Sequence, residues 1–173
     1  MGVIIGIDAG SPDVRTADHL LAELVAVLGE GAVRFGCTHL TRTGGPHVVV
    51  SVELADPDDA TSLPAGMAAG TGAAAEAVAA HAARTSGRAV VFPGRDRLVG
   101  ELSVARVLGL SAVERVSVLA GDPPGPEARV ATGDFVRPLW DGGLLTLHTV
   151  AAAGGRLAPF EVRNPTPCCV DHA

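Results

Sequence analysis

Hydrophobic positions along the chain switch repeatedly between a period of two and a helical period near 3.6, and each switch marks a predicted element. Val3 to Ile7 is a continuous, largely β-branched run that reads as a buried strand breaking into a loop at Asp8-Ala-Gly-Ser-Pro. Leu20, Leu21, Leu24, Val25, Val27 and Leu28 then recur at helical spacing, with Thr16 or Asp13 as the cap and Gly29 to Gly31 as the stop. Val33 to Leu40 and His47 to Leu54 are strand-like runs joined through Thr43-Gly44-Gly45-Pro46, a hairpin in which Val33, Phe35, Cys37 and His39 share one face. Ala55 to Pro64 reads as a loop, and alanine-rich Met67 to Arg84 as a long helix stopped by Thr85-Ser86-Gly87.

The second half repeats this grammar and then changes it. Ala89 to Phe92 is a strand, Leu98, Leu102, Val104, Val107 and Leu108 fit a helix, and Val116 to Ala120 closes a β-α-β unit. Gly121 to Pro126 is a turn. Val130 to Leu139 and Leu144 to Ala151 flank the hairpin signal Trp140-Asp-Gly-Gly143, and Leu157 to Val162 adds an edge strand. The expected fold is therefore α/β: a ferredoxin-like β-α-β-β-α-β core with an added βα unit and a C-terminal β-hairpin region. A doubly wound three-layer sandwich, or an α+β arrangement, is the alternative. One domain over 1–162 and an irregular tail over 163–173 are expected, because 173 residues bury one good core.

Composition narrows the chemistry. All 13 basic residues are arginine, and tyrosine is absent. Without lysine there is no Schiff base, no pyridoxal-phosphate anchor and no P-loop cation. Proton transfer falls to His, Asp, Glu, Cys or water. A net charge of −6, with only four Phe and one Trp, speaks against a nucleic-acid partner. The opening apolar stretch is strand-length without a basic flank, so neither a signal peptide nor a membrane partner is expected and the anticipated location is cytoplasmic. Three cysteines do not form a secreted disulfide framework.

Candidate chemistry gathers in three places. If their strands run parallel, the loops Asp8 to Arg15, Pro93 to Arg97 and Gly121 to Pro126 share one end of the sheet. They would then bring Asp8, Ser11, Asp13, Arg95, Asp96, Arg97 and Asp122 around one crevice. Arg95 and Arg97 suit a carboxylate or phosphate, since guanidinium groups pair with both bidentately. Cys37 and His39, expected on one strand face, offer a nucleophilic or metal-ligating pair that is also available for proton transfer. Finally, Cys168, Cys169 and His172, with Asp171, offer Zn²⁺ or Cu(I) ligands or a thiol couple in the tail.

Two short segments resemble known families. Gly6-Ile-Asp-Ala-Gly-Ser11 resembles the first phosphate-binding segment of the actin-like and sugar-kinase ATPases over six residues, although a proline and a helix follow here where that family has a second hairpin strand. Gly36-Cys-Thr-His39 resembles the second cysteine segment of the aspartate/glutamate racemases, which implies an acid/base cysteine at Cys37, but the family's first cysteine segment has no counterpart here. Three functional readings follow: a small enzyme or binding domain for an anionic metabolite, using Asp8, Cys37 or His39 for proton transfer; a metal or thiol-redox protein working through its tail; and a regulatory or assembly domain that associates with copies of itself.

Overall fold

A computed structural model describes residues 2–29, 31–62 and 72–163. Their order is β1 (Ile4–Ser11), α1 (Val14–Leu28), β2 (Val33–Thr41), β3 (His47–Leu54), α2 (Ala73–Ala82), β4 (Arg88–Val91), β5 (Gly100–Ser103), α3 (Val104–Leu110), β6 (Arg115–Val118), β7 (Arg129–Gly133), β8 (Leu139–Asp141), β9 (Leu144–Ala152) and β10 (Arg156–Pro159). The fold is mixed α/β, with all ten strands in one hydrogen-bonded sheet of order β1-β3-β2-β4-β8-β9-β10-β7-β5 and β6 set against β9.

The first half shows the expected β-α-β-β-α-β succession, but its order is β1-β3-β2-β4 and its neighbours are antiparallel. A ferredoxin-like unit seats its last strand beside β1, with both helices on one face. Here β4 lies beyond β2 instead. Both crossovers, β1-α1-β2 and β3-α2-β4, step in the same direction across the sheet while their strands point opposite ways, so the right-handed rule sends the helices to opposite faces. α1 buries Ala17, Leu20, Leu21 and Leu24 against Val48, Val50, Val52 and Leu54 on one side. Each of those leucines is worth about 2 kcal/mol of burial. α2 sets Ala73, Ala74 and Ala77 against Val49 on the other.

Local chemistry explains most boundaries. Asp13 caps α1 by accepting from the Thr16 N–H at 2.8 Å. Phe35, Cys37 and His39 do share a face, but a register shift between Val33 and Phe35 sends Val33 to the α1 side. The expected helix from Leu98 begins later, because Glu101 and Leu102 pair with β7 and Ser103 caps α3. The Trp140 hairpin is also shorter than expected. Pro138 precedes β8, and Gly142 and Gly143 turn the chain with φ of 59° and 85°, as a two-residue primed turn requires. The final strand is interior rather than an edge, held between β9 and β7.

The halves meet at a thin seam. One β4–β8 register pair, Arg88 with Leu139, is flanked by the Trp140 N–H donating to the Gly87 carbonyl at 2.9 Å and the Ala89 N–H donating to the Pro138 carbonyl at 2.8 Å. A core spanning the seam joins Phe35, Cys37, Ala89 and Phe92 to Val107, Val116, Trp140, Leu145 and Leu147. Among the described residues, no helix is long and apolar enough to cross a membrane.

Candidate functional site

The expected single crevice does not form. β4 and β6 run opposite to β1, so the Asp8 to Arg15 segment lies at one end of the sheet and Pro93 to Arg97 at the other. Both carboxylates at the first end, Asp8 and Asp13, have local partners. Asp8 accepts from the Gly10 N–H and from His47 Nε2, both at 3.0 Å, while His47 Nδ1 meets the Gly45 carbonyl at 2.8 Å. A ring facing two acceptors must carry both protons, so His47 is an imidazolium with no nitrogen left for a substrate. The Gly45 carbonyl first and Asp8 second hold its pKa above the ordinary value. Burial opposes ionisation of Asp8, yet Gly10 and His47 outweigh it and keep that carboxyl low. Ser11 is buried opposite Val48, and Asp13 is the α1 cap.

Cys37 and His39 lie in the core beneath α2. Burial pushes the Cys37 thiol up to about 12 and so disfavours a thiolate at neutral pH. His39 Nε2 meets Ser51 Oγ at 2.7 Å, and Ser51 Oγ meets His81 Nδ1 at 2.8 Å. One hydroxyl proton serves two rings. If Ser51 donates to His81, then His81 carries its own proton on Nε2 and faces Glu53 Oε2 at 3.9 Å; the opposite assignment would aim a lone pair at that carboxylate. Burial lowers both rings to about 4, and for His81 the neighbouring His39 and Arg84 add to the effect. Both are therefore neutral at pH 7.

At the other end, the loop after β4 splits in its roles. Arg95 turns inward to the Val90 carbonyl at 3.0 Å and to Asp96, while Asp96 is otherwise exposed. Asp122 is exposed and does not line the crevice described next. Arg97 lines a crevice of about 520 Å³, together with Arg34 and Phe35 of β2, Arg84, the end of α3, Glu114 and Trp140. Gly94 is required here: its φ is 79°, and a side-chain carbon would overlap the Leu110 carbonyl of α3.

Arg84 follows α2 in the left-handed region at φ 53°, where glycine is the usual choice. That conformation stacks its guanidinium 4.8 Å over the Trp140 ring, with Glu114 only loosely paired at 3.9 Å. Arg34 meets Glu53 at 3.4 Å and is more than half exposed. Arg97 has no side-chain hydrogen bond or ion pair among the described residues. Arg34, Arg84 and Glu114 escaped sequence reasoning because they sit on separate elements and no local spacing links them.

A second arginine cluster closes the seam. Arg88 donates to Asp18 of α1 at 2.6 and 3.1 Å, to Glu161 at 2.7 Å and through a second, shorter bond, and to Thr38 at 3.3 Å. Arg137 adds contacts to Asp18 at 3.3 Å. Burial works against the Arg88 cation, but Glu161 and Asp18 more than compensate and raise its pKa. A hollow of about 630 Å³ beside this clasp also carries Arg15, Phe135 and Arg163.

Cys168, Cys169 and His172, with the Zn²⁺ or Cu(I) chemistry expected of them, fall outside the described residues. Among the described residues, no cluster of three His, Cys, Asp or Glu side chains is arranged to hold a metal ion. In comparisons with known proteins, no family model, no curated protein and no solved structure matches the chain.

Proposed function

We propose that the chain binds a small anionic metabolite in the crevice over Trp140, with Arg34, Arg84 and Arg97 as the partners of its carboxylate or phosphate. The observation that carries this reading is the surplus of positive charge: three guanidinium groups line the crevice against one lining carboxylate, Glu114; Arg34 is loosely answered by Glu53, and Arg97 has no counter-ion among the described residues. A charge-assisted hydrogen bond to such a group contributes about 1.5–3 kcal/mol, and Pro93, Leu110 and Ala112 supply apolar surface beside it. The volume lies in the ordinary range for a metabolite site. The reading is one of binding, because Asp8 lies at the opposite end of the sheet and Cys37 and His39 do not line the crevice.

The test is isothermal titration with 3-phenylpropanoate and inorganic phosphate at low salt. Saturable binding of at least one of them is expected, weakened by about tenfold or more in Arg97→Ala and unchanged in Arg163→Ala beside the clasp, where tenfold corresponds to about 1.4 kcal/mol. Equal binding by wild type and Arg97→Ala, or no binding by wild type of any carboxylate or phosphate compound tested on this crevice, sinks the proposal.

A further inference from the structure

The crevice is not uniformly positive. Glu114 lines it, and only one of its oxygens has work elsewhere: Oε2 accepts from the Leu145 N–H at 3.0 Å and stands 3.9 Å from Arg84. Gly109 and Leu110, the last residues of α3, line it as well. Carbonyl groups at a helix C-terminus lack intrahelical donors and carry the negative end of the helix dipole. The Ser111 hydroxyl donates to the Val107 carbonyl one turn earlier, which leaves the Gly109 and Leu110 carbonyls without that donor. A ligand with only negative charge would therefore meet three guanidiniums it favours and a carboxylate and helix end it does not. A ligand with a cationic donor close to its anion satisfies both sets. Pro93, Leu110 and Ala112 give the remainder of such a ligand an apolar wall, above a buried floor formed by Trp140 and Phe35.

We infer that the crevice takes a zwitterion of the α-amino-acid type with an apolar or aromatic side chain, its carboxylate on Arg34 and Arg97 and its ammonium on Glu114. This deepens the anion reading and rests on it. Recognition of both charges distinguishes an amino acid from its deaminated and decarboxylated relatives, because each relative leaves one set of site groups without a partner.

The experiment compares L-phenylalanine and L-leucine with 3-phenylpropanoate and phenethylamine by isothermal titration on the full chain at pH 7. At least one amino acid is expected to bind tenfold or more tighter than both single-charge analogues. Glu114→Gln, whose amide oxygen can still accept from Leu145, is expected to erase that advantage by weakening the amino acid, while 3-phenylpropanoate, no longer facing a carboxylate, binds as tightly as to wild type or more tightly. If 3-phenylpropanoate matches both amino acids, the zwitterion inference is overturned and the anion reading stands. If both amino acids and both anions of these tests fail to bind, the two fall together. If the amino-acid preference survives in Glu114→Gln, the role assigned to Glu114 is wrong.

Discussion

The two arginine-lined hollows differ in one respect, which decides how each is read. At the seam, Arg88 is about nine-tenths buried and fully engaged by Asp18 and Glu161, so its charge is answered within the protein. Over Trp140, the guanidinium groups are roughly half exposed and loosely paired, which leaves theirs open to the outside partner proposed above. Arginine count does not separate a clasp from a binding site. The number of acceptors already in place does.

The largest expected effect breaks the clasp. Arg88→Met leaves Glu161 without this partner and strips Asp18 to Arg137 alone, and the loss should be about 3 kcal/mol in urea denaturation, in line with removal of one member of a buried pair. A loss below about 1 kcal/mol would erase the distinction between the two hollows.

An intermediate effect lies in pH. His39 and His81 are protonated in the unfolded chain below about 6.5 but remain neutral in the fold down to about 4, so stability should fall as pH drops through that window. The Asp8–His47 pair acts in the opposite sense. With the His47 pKa raised, its contribution is complete below the ordinary histidine value and is lost as pH rises through the raised one; with that of Asp8 lowered, its share is lost only as pH falls through the lowered one. The buried rings should win, because two of them oppose a single pair whose carboxylate is about a third exposed. The denaturation midpoint measured from pH 7 to pH 4.5 should decline in the wild type and decline less in a His39→Gln, His81→Gln variant. Equal slopes would remove the buried pair from the explanation.

The smallest effect is the sharpest contrast. Arg97→Ala should change stability by no more than about 0.5 kcal/mol, as for an exposed side chain without partners, while removing the anion binding proposed above. A loss like that of Arg88→Met would make Arg97 a structural residue.

Much of the fold was legible because its signals are local. Gly44-Gly45 between two β-branched runs marks the β2–β3 hairpin, and Asp13 followed by the leucine repeat marks α1. Where reading failed, two local signals competed. Leu98, Leu102 and Val104 suit a helix, but Gly100 at φ 77° and the β7 partner made a strand of Gly100–Ser103. Strand order was out of reach, because nothing near Arg88 in the chain reports that Asp18 and Glu161 will meet there. The same holds for the crevice. Arg97 stood in a readable loop, whereas Arg34, Arg84 and Glu114 reach it from 63, 13 and 17 positions away along the chain, on elements that only the three-dimensional arrangement brings together.

The seam also sets an order of events. Its partners are far apart in sequence: Arg88 bonds residues 70 and 73 positions away, and Arg137 reaches Asp18 across 119. Closing loops of that length costs chain entropy before any contact rewards it, whereas the β2–β3 and β8–β9 hairpins close over a few residues. The seam should therefore assemble after either hairpin, and in pulsed exchange during refolding the amide protons of Ala89 and Trp140 should gain protection later than those inside the β2–β3 and β8–β9 hairpins.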